Sequence, residues 1–147
     1  MIHRNLLLFR GARYLWWSLF LLVVSGAIYS TQGNVQPPNG GTWQGYVLGS
    51  IGALLILWLT FLGVRKRAYR STMGSMQGWT SAHVYLGAAL LIIATLHAGF
   101  QVGWNLHTLA YVLMCVVIAS GFFGLYSYLN NPQLISKNRE GGSRSEL

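Results

Sequence analysis

The side chains best suited to chemistry in this chain are its four histidines, His3, His83, His97 and His107. His83 and His97 stand 14 residues apart in sequence. On a helix, that many steps of about 100° fall roughly 40° short of four turns, so both imidazoles share a face, about 21 Å apart along the axis. His107 follows His97 after the short stretch Ala98–Leu106. Imidazole is a common ligand of iron, and a six-coordinate haem b takes one axial ligand on each face. Two antiparallel helices with a short connection can each supply one such ligand. The spacing therefore predicts His97 and His107 as the axial pair of one haem, with His83 as a ligand of a second, inner haem if a partner exists. His3, on the stretch Ile2–Arg10, is the only remaining histidine to fill that role. The single cysteine, Cys115, reads as a small packing residue. One cysteine with no CxxC excludes disulfide frameworks, zinc ribbons and covalent haem attachment through CxxCH.

The elements that must position these histidines are membrane helices. Of 147 residues only 8% are charged, 53% are apolar, and the mean hydropathy is +0.44. A soluble domain carries about 25% charged residues, so this chain reads as an integral membrane protein, and its hydrophobicity excludes intrinsic disorder. Four uncharged stretches approach the roughly 20 residues needed to span a bilayer as a helix: Tyr14–Ser30, Tyr46–Val64, Ala82–Val102 and His107–Leu129. Their apolar character is continuous rather than alternating, which rejects spanning strands. The first stretch also resembles a signal peptide, with a basic start, an apolar run and Ser25-Gly26-Ala27; the expectation is a retained helix. The predicted architecture is all-α, an up-down bundle of four transmembrane helices over residues 1–130, followed by a polar tail at 131–147.

Charge sets the orientation. Arg4, Arg10 and Arg13 precede the first stretch, Arg65, Lys66, Arg67 and Arg70 lie between the second and third, and Lys137, Arg139 and Arg144 follow the fourth. These are all ten Lys and Arg residues, and Thr31–Gly45 and Gly103–Leu106 carry no charge. The positive-inside rule then places both termini and the middle loop in the cytoplasm. The net charge of +8 is thereby an orientation device in contact with lipid head groups, and nucleic acid is not an expected partner.

Local signals punctuate the helices. Thr80 or Ser81 is the expected cap of the third, Asn105 of the fourth, and Asn130-Asn131-Pro132 ends it. Trp16, Trp17, Trp43, Trp79 and Trp104 sit where interfacial aromatics belong. Gly45, Gly49 and Gly52 form one small-residue stripe, and Gly121 and Gly124 another; both predict close helix packing. Phe100, Trp104 and Tyr111 are candidates to pack on a macrocycle.

The segment HVYLGAALLIIATLH, with histidine at both ends, resembles the haem-bearing helices of membrane-bound b-type cytochromes, including the four-helix cytochrome b subunits of respiratory and reductase complexes. The resemblance covers Trp79–Pro132. It implies haem b, electron transfer in or across the inner membrane, quinone as a reaction partner, and other subunits of a membrane redox complex. Diheme members usually draw two ligands from each of two helices, whereas this chain offers two on the third and one on the fourth. One haem is therefore the primary expectation. With no flavin or iron–sulfur motif, the chain reads as an electron-transfer subunit rather than a stand-alone enzyme. The alternatives are a cofactor-free membrane scaffold, in which the histidines only bond helices together, and a proton relay, which the lack of carboxylates in the apolar stretches disfavours.

Overall fold

The computed structural model describes residues 11–33, 40–67 and 74–130. They form four helices, α1 (Arg13–Ser30), α2 (Trp43–Arg67), α3 (Met76–Ala98) and α4 (Leu106–Asn130). No strand occurs among the described residues. Helices α2, α3 and most of α4 (Leu106–Ser127) are long and apolar enough to cross a membrane. Helix α1 has 18 residues, a rise of about 27 Å against a hydrocarbon core of about 30 Å. His3, Pro37, Pro38 and the tail 131–147 lie outside the described residues.

Helix α3 is the hub. It packs most extensively on α2, then on α1, and only lightly on α4. Its buried positions explain this order. Gly78, Ser81, Ala82 and Ala89 are small, so neighbouring backbones come close, and Ser18 and Ser25 are the buried residues of α1. Toward α2, Leu90 and Ile93 join Leu55 in a core cluster that Leu21, Leu86 and Met114 surround. Helix α4 has no buried residue in its membrane-length window. Exposed apolar side chains on these helices, such as Leu54, Val117 and Phe123, are what a helix facing lipid tails requires.

The ends of α3 differ from expectation. Its cap is Ser75, whose side chain accepts from the Gly78 N–H at 3.2 Å. Thr80 instead donates to the Met76 carbonyl, and Ser81 is fully buried within the helix. The helix thus starts before the apolar run does, because its polar first turns rest on α2: the Trp79 and Trp58 rings stack at 5.2 Å with an 11° interplanar angle. At the other end α3 stops at Ala98, short of Val102. Gly99 adopts a left-handed conformation (φ 61°), its N–H reaches Leu96 O, and the Phe100 N–H reaches Thr95 O. This is the Schellman arrangement that closes a helix. Asn105 caps α4 as expected, its Oδ1 accepting from the Thr108 N–H at 2.8 Å. Helix α4 ends at Asn130. Helix α2 extends past Val64 to Arg67, which brings three cations into its last turn, where they face the negative end of the helix dipole.

Candidate functional site

The early stop of α3 puts His97 in its last turn, and the N-cap at Asn105 puts His107 in the first turn of α4. The connection between them turns the chain back on itself, and the two imidazoles meet with ring centroids 5.5 Å apart and planes at 60°. The sequence pair His97 and His107 is therefore brought together. A second link holds the two helices at this end: Tyr111 donates to the Thr95 hydroxyl at 2.8 Å, and that hydroxyl donates to the Leu91 carbonyl.

His97 is half-buried and oriented by α2. Its Nδ1 lies 2.8 Å from the Gly45 carbonyl oxygen. A carbonyl only accepts, so Nδ1 carries the proton and, in the neutral ring, Nε2 carries the lone pair. The ring lies close against glycine backbone. A Cβ added at Gly49 would stand 2.7 Å from His97 Cε1, and one at Gly40 would stand 3.1 Å from it. The stripe on α2 thus acts as the seat of α3: Gly45 offers its carbonyl, Gly49 makes room for His97, and Gly52 faces Leu90. His107 is exposed. Both rings border an open pocket of about 340 Å³, with Gly40, Gln101 and Asn105 also on its walls.

Two histidines are fewer than a bare metal ion needs. Among the described residues no group of three or more His, Cys, Asp or Glu converges. A haem brings four nitrogens of its own and asks two axial ligands of the protein. The donor set fits that demand, since histidine ligates haem iron and a ligating imidazole characteristically gives its second ring N–H to a carbonyl or carboxylate.

His83 lies apart from this pair, toward the other end of α3. It lines an open cleft of about 510 Å³ between α2, α3 and α4. Its Nδ1 is buried with no hydrogen-bond partner among the described residues. Gly121 of α4 lines the same cleft, and an added Cβ at Gly121 or Gly124 would meet nothing within 4 Å. The α4 stripe is therefore not a close-packing face within the described chain, contrary to expectation. Of the aromatics proposed for a macrocycle, Tyr111 is bonded to Thr95, Phe100 stands edge-on to Tyr29, and Trp104 is fully exposed. Cys115 is a free, half-buried thiol.

Sequence reasoning missed the Gly45 carbonyl, the Trp58–Trp79 stack and the cavity beside His83. The first left a trace, since glycines four apart on α2 offered bare backbone to a bulky ring. The chain matches no family model, no curated protein and no solved structure.

Proposed function

We propose that this chain is a haem b electron-transfer subunit of a larger membrane redox complex, passing electrons between the quinone pool and a partner protein. In this reading all four helices span the inner membrane and both termini are cytoplasmic. The observation that carries it is the bond from His97 Nδ1 to the Gly45 carbonyl, with the His107 ring 5.5 Å away. His97 and His107 would hold a single haem b, which when bound supplies a one-electron Fe(III)/Fe(II) couple.

The chain's own contribution is positional. The Gly45 carbonyl fixes the His97 tautomer, leaving Nε2 free to ligate. Gly49 admits the ring against α2. Tyr111 and Thr95 hold α4 beside α3 at the level of the pair. The cations Arg65, Lys66 and Arg67 keep the opposite end of the bundle on the cytoplasmic side.

The reduced-minus-oxidised optical spectrum of the purified protein tests this directly. A b-type signal is expected, and His97→Ala and His107→Ala should each remove or shift it. Unchanged haem content in both variants would defeat the assignment. A second reading, the cofactor-free scaffold, draws on the same bond, because a His97 link to Gly45 also clips α3 to α2. It requires a colourless protein in which His97→Ala lowers stability alone.

A further inference from the structure

We propose that the open cleft between α2, α3 and α4 holds one anionic phospholipid, with its phosphate on Arg67 and an acyl chain in the cleft. Two hollows meet on a single face of α2. The cleft takes Ile56 and Thr60 from that helix, and a second hollow of about 520 Å³ takes Thr60, Gly63, Val64 and Arg67. These residues recur at helical intervals, so one stripe runs from the apolar cleft to a guanidinium, a rise of about 16 Å. A molecule with an apolar end and an anionic end matches that order.

Charge selects the head group. The chain's only acidic residues, Glu140 and Glu146, lie outside the described residues, so Arg65, Lys66 and Arg67 face no carboxylate among the described ones. Arg65 donates to the Gly74 carbonyl at 2.9 Å, while Lys66 and Arg67 are exposed. Three adjacent cations repel one another, and a phosphate beside them offsets that cost with charge-assisted hydrogen bonds. Each cation held near an anionic membrane surface strengthens binding about fivefold.

His83 supplies a second polar contact. It borders the cleft with Thr60, and each stands about 10 Å along its helix from the end at Met76 or Arg67. His83 Nδ1 is buried with no hydrogen-bond partner among the described residues, and an unmet polar atom in an apolar surround is costly. A phospholipid carries ester oxygens just below its phosphate, and a histidine Nδ1–H can donate to one of them. Beyond this point the lining is apolar, and its α4 wall extends from Leu113 to Leu125, a rise of about 18 Å along which a single chain lies. Gly121 deepens that wall, since a Cβ there would meet nothing within 4 Å. Lipid tails are as apolar as the wall itself, so the chain fills the space and the head group decides which lipid stays. The site requires no haem.

Native mass spectrometry of the delipidated full-length protein, titrated with phosphatidylglycerol or with phosphatidylcholine of the same chains, tests the site. One retained phosphatidylglycerol is expected, bound at least about fivefold more tightly than phosphatidylcholine. Arg67→Gln should remove most of that preference. Arg13→Gln, which deletes the same charge away from the cleft, should leave it intact. His83→Phe should weaken both lipids about fivefold, the loss of roughly one hydrogen bond. Gly121→Leu, which puts a side chain into the cleft, should weaken both without changing the preference. Inorganic phosphate, which brings no chain, should not displace the lipid at matched ionic strength. Helix content by circular dichroism should match the wild-type protein in every variant. The proposal is overturned if wild type retains both lipids equally, if Arg13→Gln costs as much preference as Arg67→Gln, if His83→Phe and Gly121→Leu both bind like wild type, or if inorganic phosphate displaces the lipid.

Discussion

The seam between α2 and α3 and the seam between α3 and α4 are built from the same kind of residue with opposite results. On α2, Gly45, Gly49 and Gly52 are filled: His97 lies on the first two and Leu90 faces the third. On α4, Gly121 and Gly124 meet nothing, and Gly121 borders a cavity. A small residue in a membrane helix permits close approach but does not cause it. What closes the first seam is a specific bond, His97 to Gly45, and a large stacked contact, Trp58 on Trp79. Among the described residues the second seam has the Tyr111–Thr95 link and the histidine contact at one end, and Met114 and Ile118 packed against the core cluster further along. Separation at the other end leaves the space beside His83.

The strongest way to break this comparison is to add one methyl group to each stripe. In Gly49→Ala the new Cβ would stand 2.7 Å from His97 Cε1, so the ring must swing away from the Gly45 carbonyl. Overpacking of this kind costs about 1–3 kcal/mol. Gly121→Ala meets nothing and should be neutral, or stabilising by up to about 1 kcal/mol through helix propensity. Thermal unfolding in one detergent, followed by circular dichroism, compares them; equal losses would mean that the two seams are packed alike.

A smaller effect is expected at the start of α4. Asn105→Ala removes the acceptor of the Thr108 N–H, and loss of an N-cap costs about 1 kcal/mol. The first turn of α4 should fray, which hydrogen exchange at Thr108 would report. Because His107 sits in that turn, its contact with His97 should loosen before the rest of the helix does. Full protection at Thr108 in the variant would show that the seam, not the cap, holds the helix end.

The smallest effect sharpens the comparison. Thr95→Val and Tyr111→Phe each remove the side-chain link between α3 and α4. Interhelical hydrogen bonds in membranes average about 0.6 kcal/mol. A double-mutant cycle on unfolding free energy should recover a coupling near that size. A coupling several-fold larger would make this seam tighter than its geometry implies.

Much of the frame was legible because the signals are local. The uncharged runs marked the helices, Asn105 marked the start of α4, and the short stretch from His97 to His107 required their helices to meet. Thr80 and Ser81 were misleading as caps, since they sit where the apolar run begins, while the helix begins at Ser75. That early start depends on Trp79 finding Trp58, 21 residues earlier in sequence. The Gly45 carbonyl, 52 residues from His97, was likewise invisible to spacing on one helix. The contrasting fates of the two glycine stripes depend on neighbours that no stripe encodes.

The central place of α3 also bears on how the bundle is assembled during synthesis. Helices α1 and α2 emerge first, yet they share little surface and meet mainly near their connection, where Gln44 reaches the Thr31 carbonyl and Gln32 reaches Thr42. Each makes its larger interface with α3. Until α3 is made, the first two helices have little among the described residues to keep them together. Its arrival joins both at once, and α4 then adds to a bundle that already exists. Translation beyond Ala98 is therefore the point at which this protein first becomes more than separate helices.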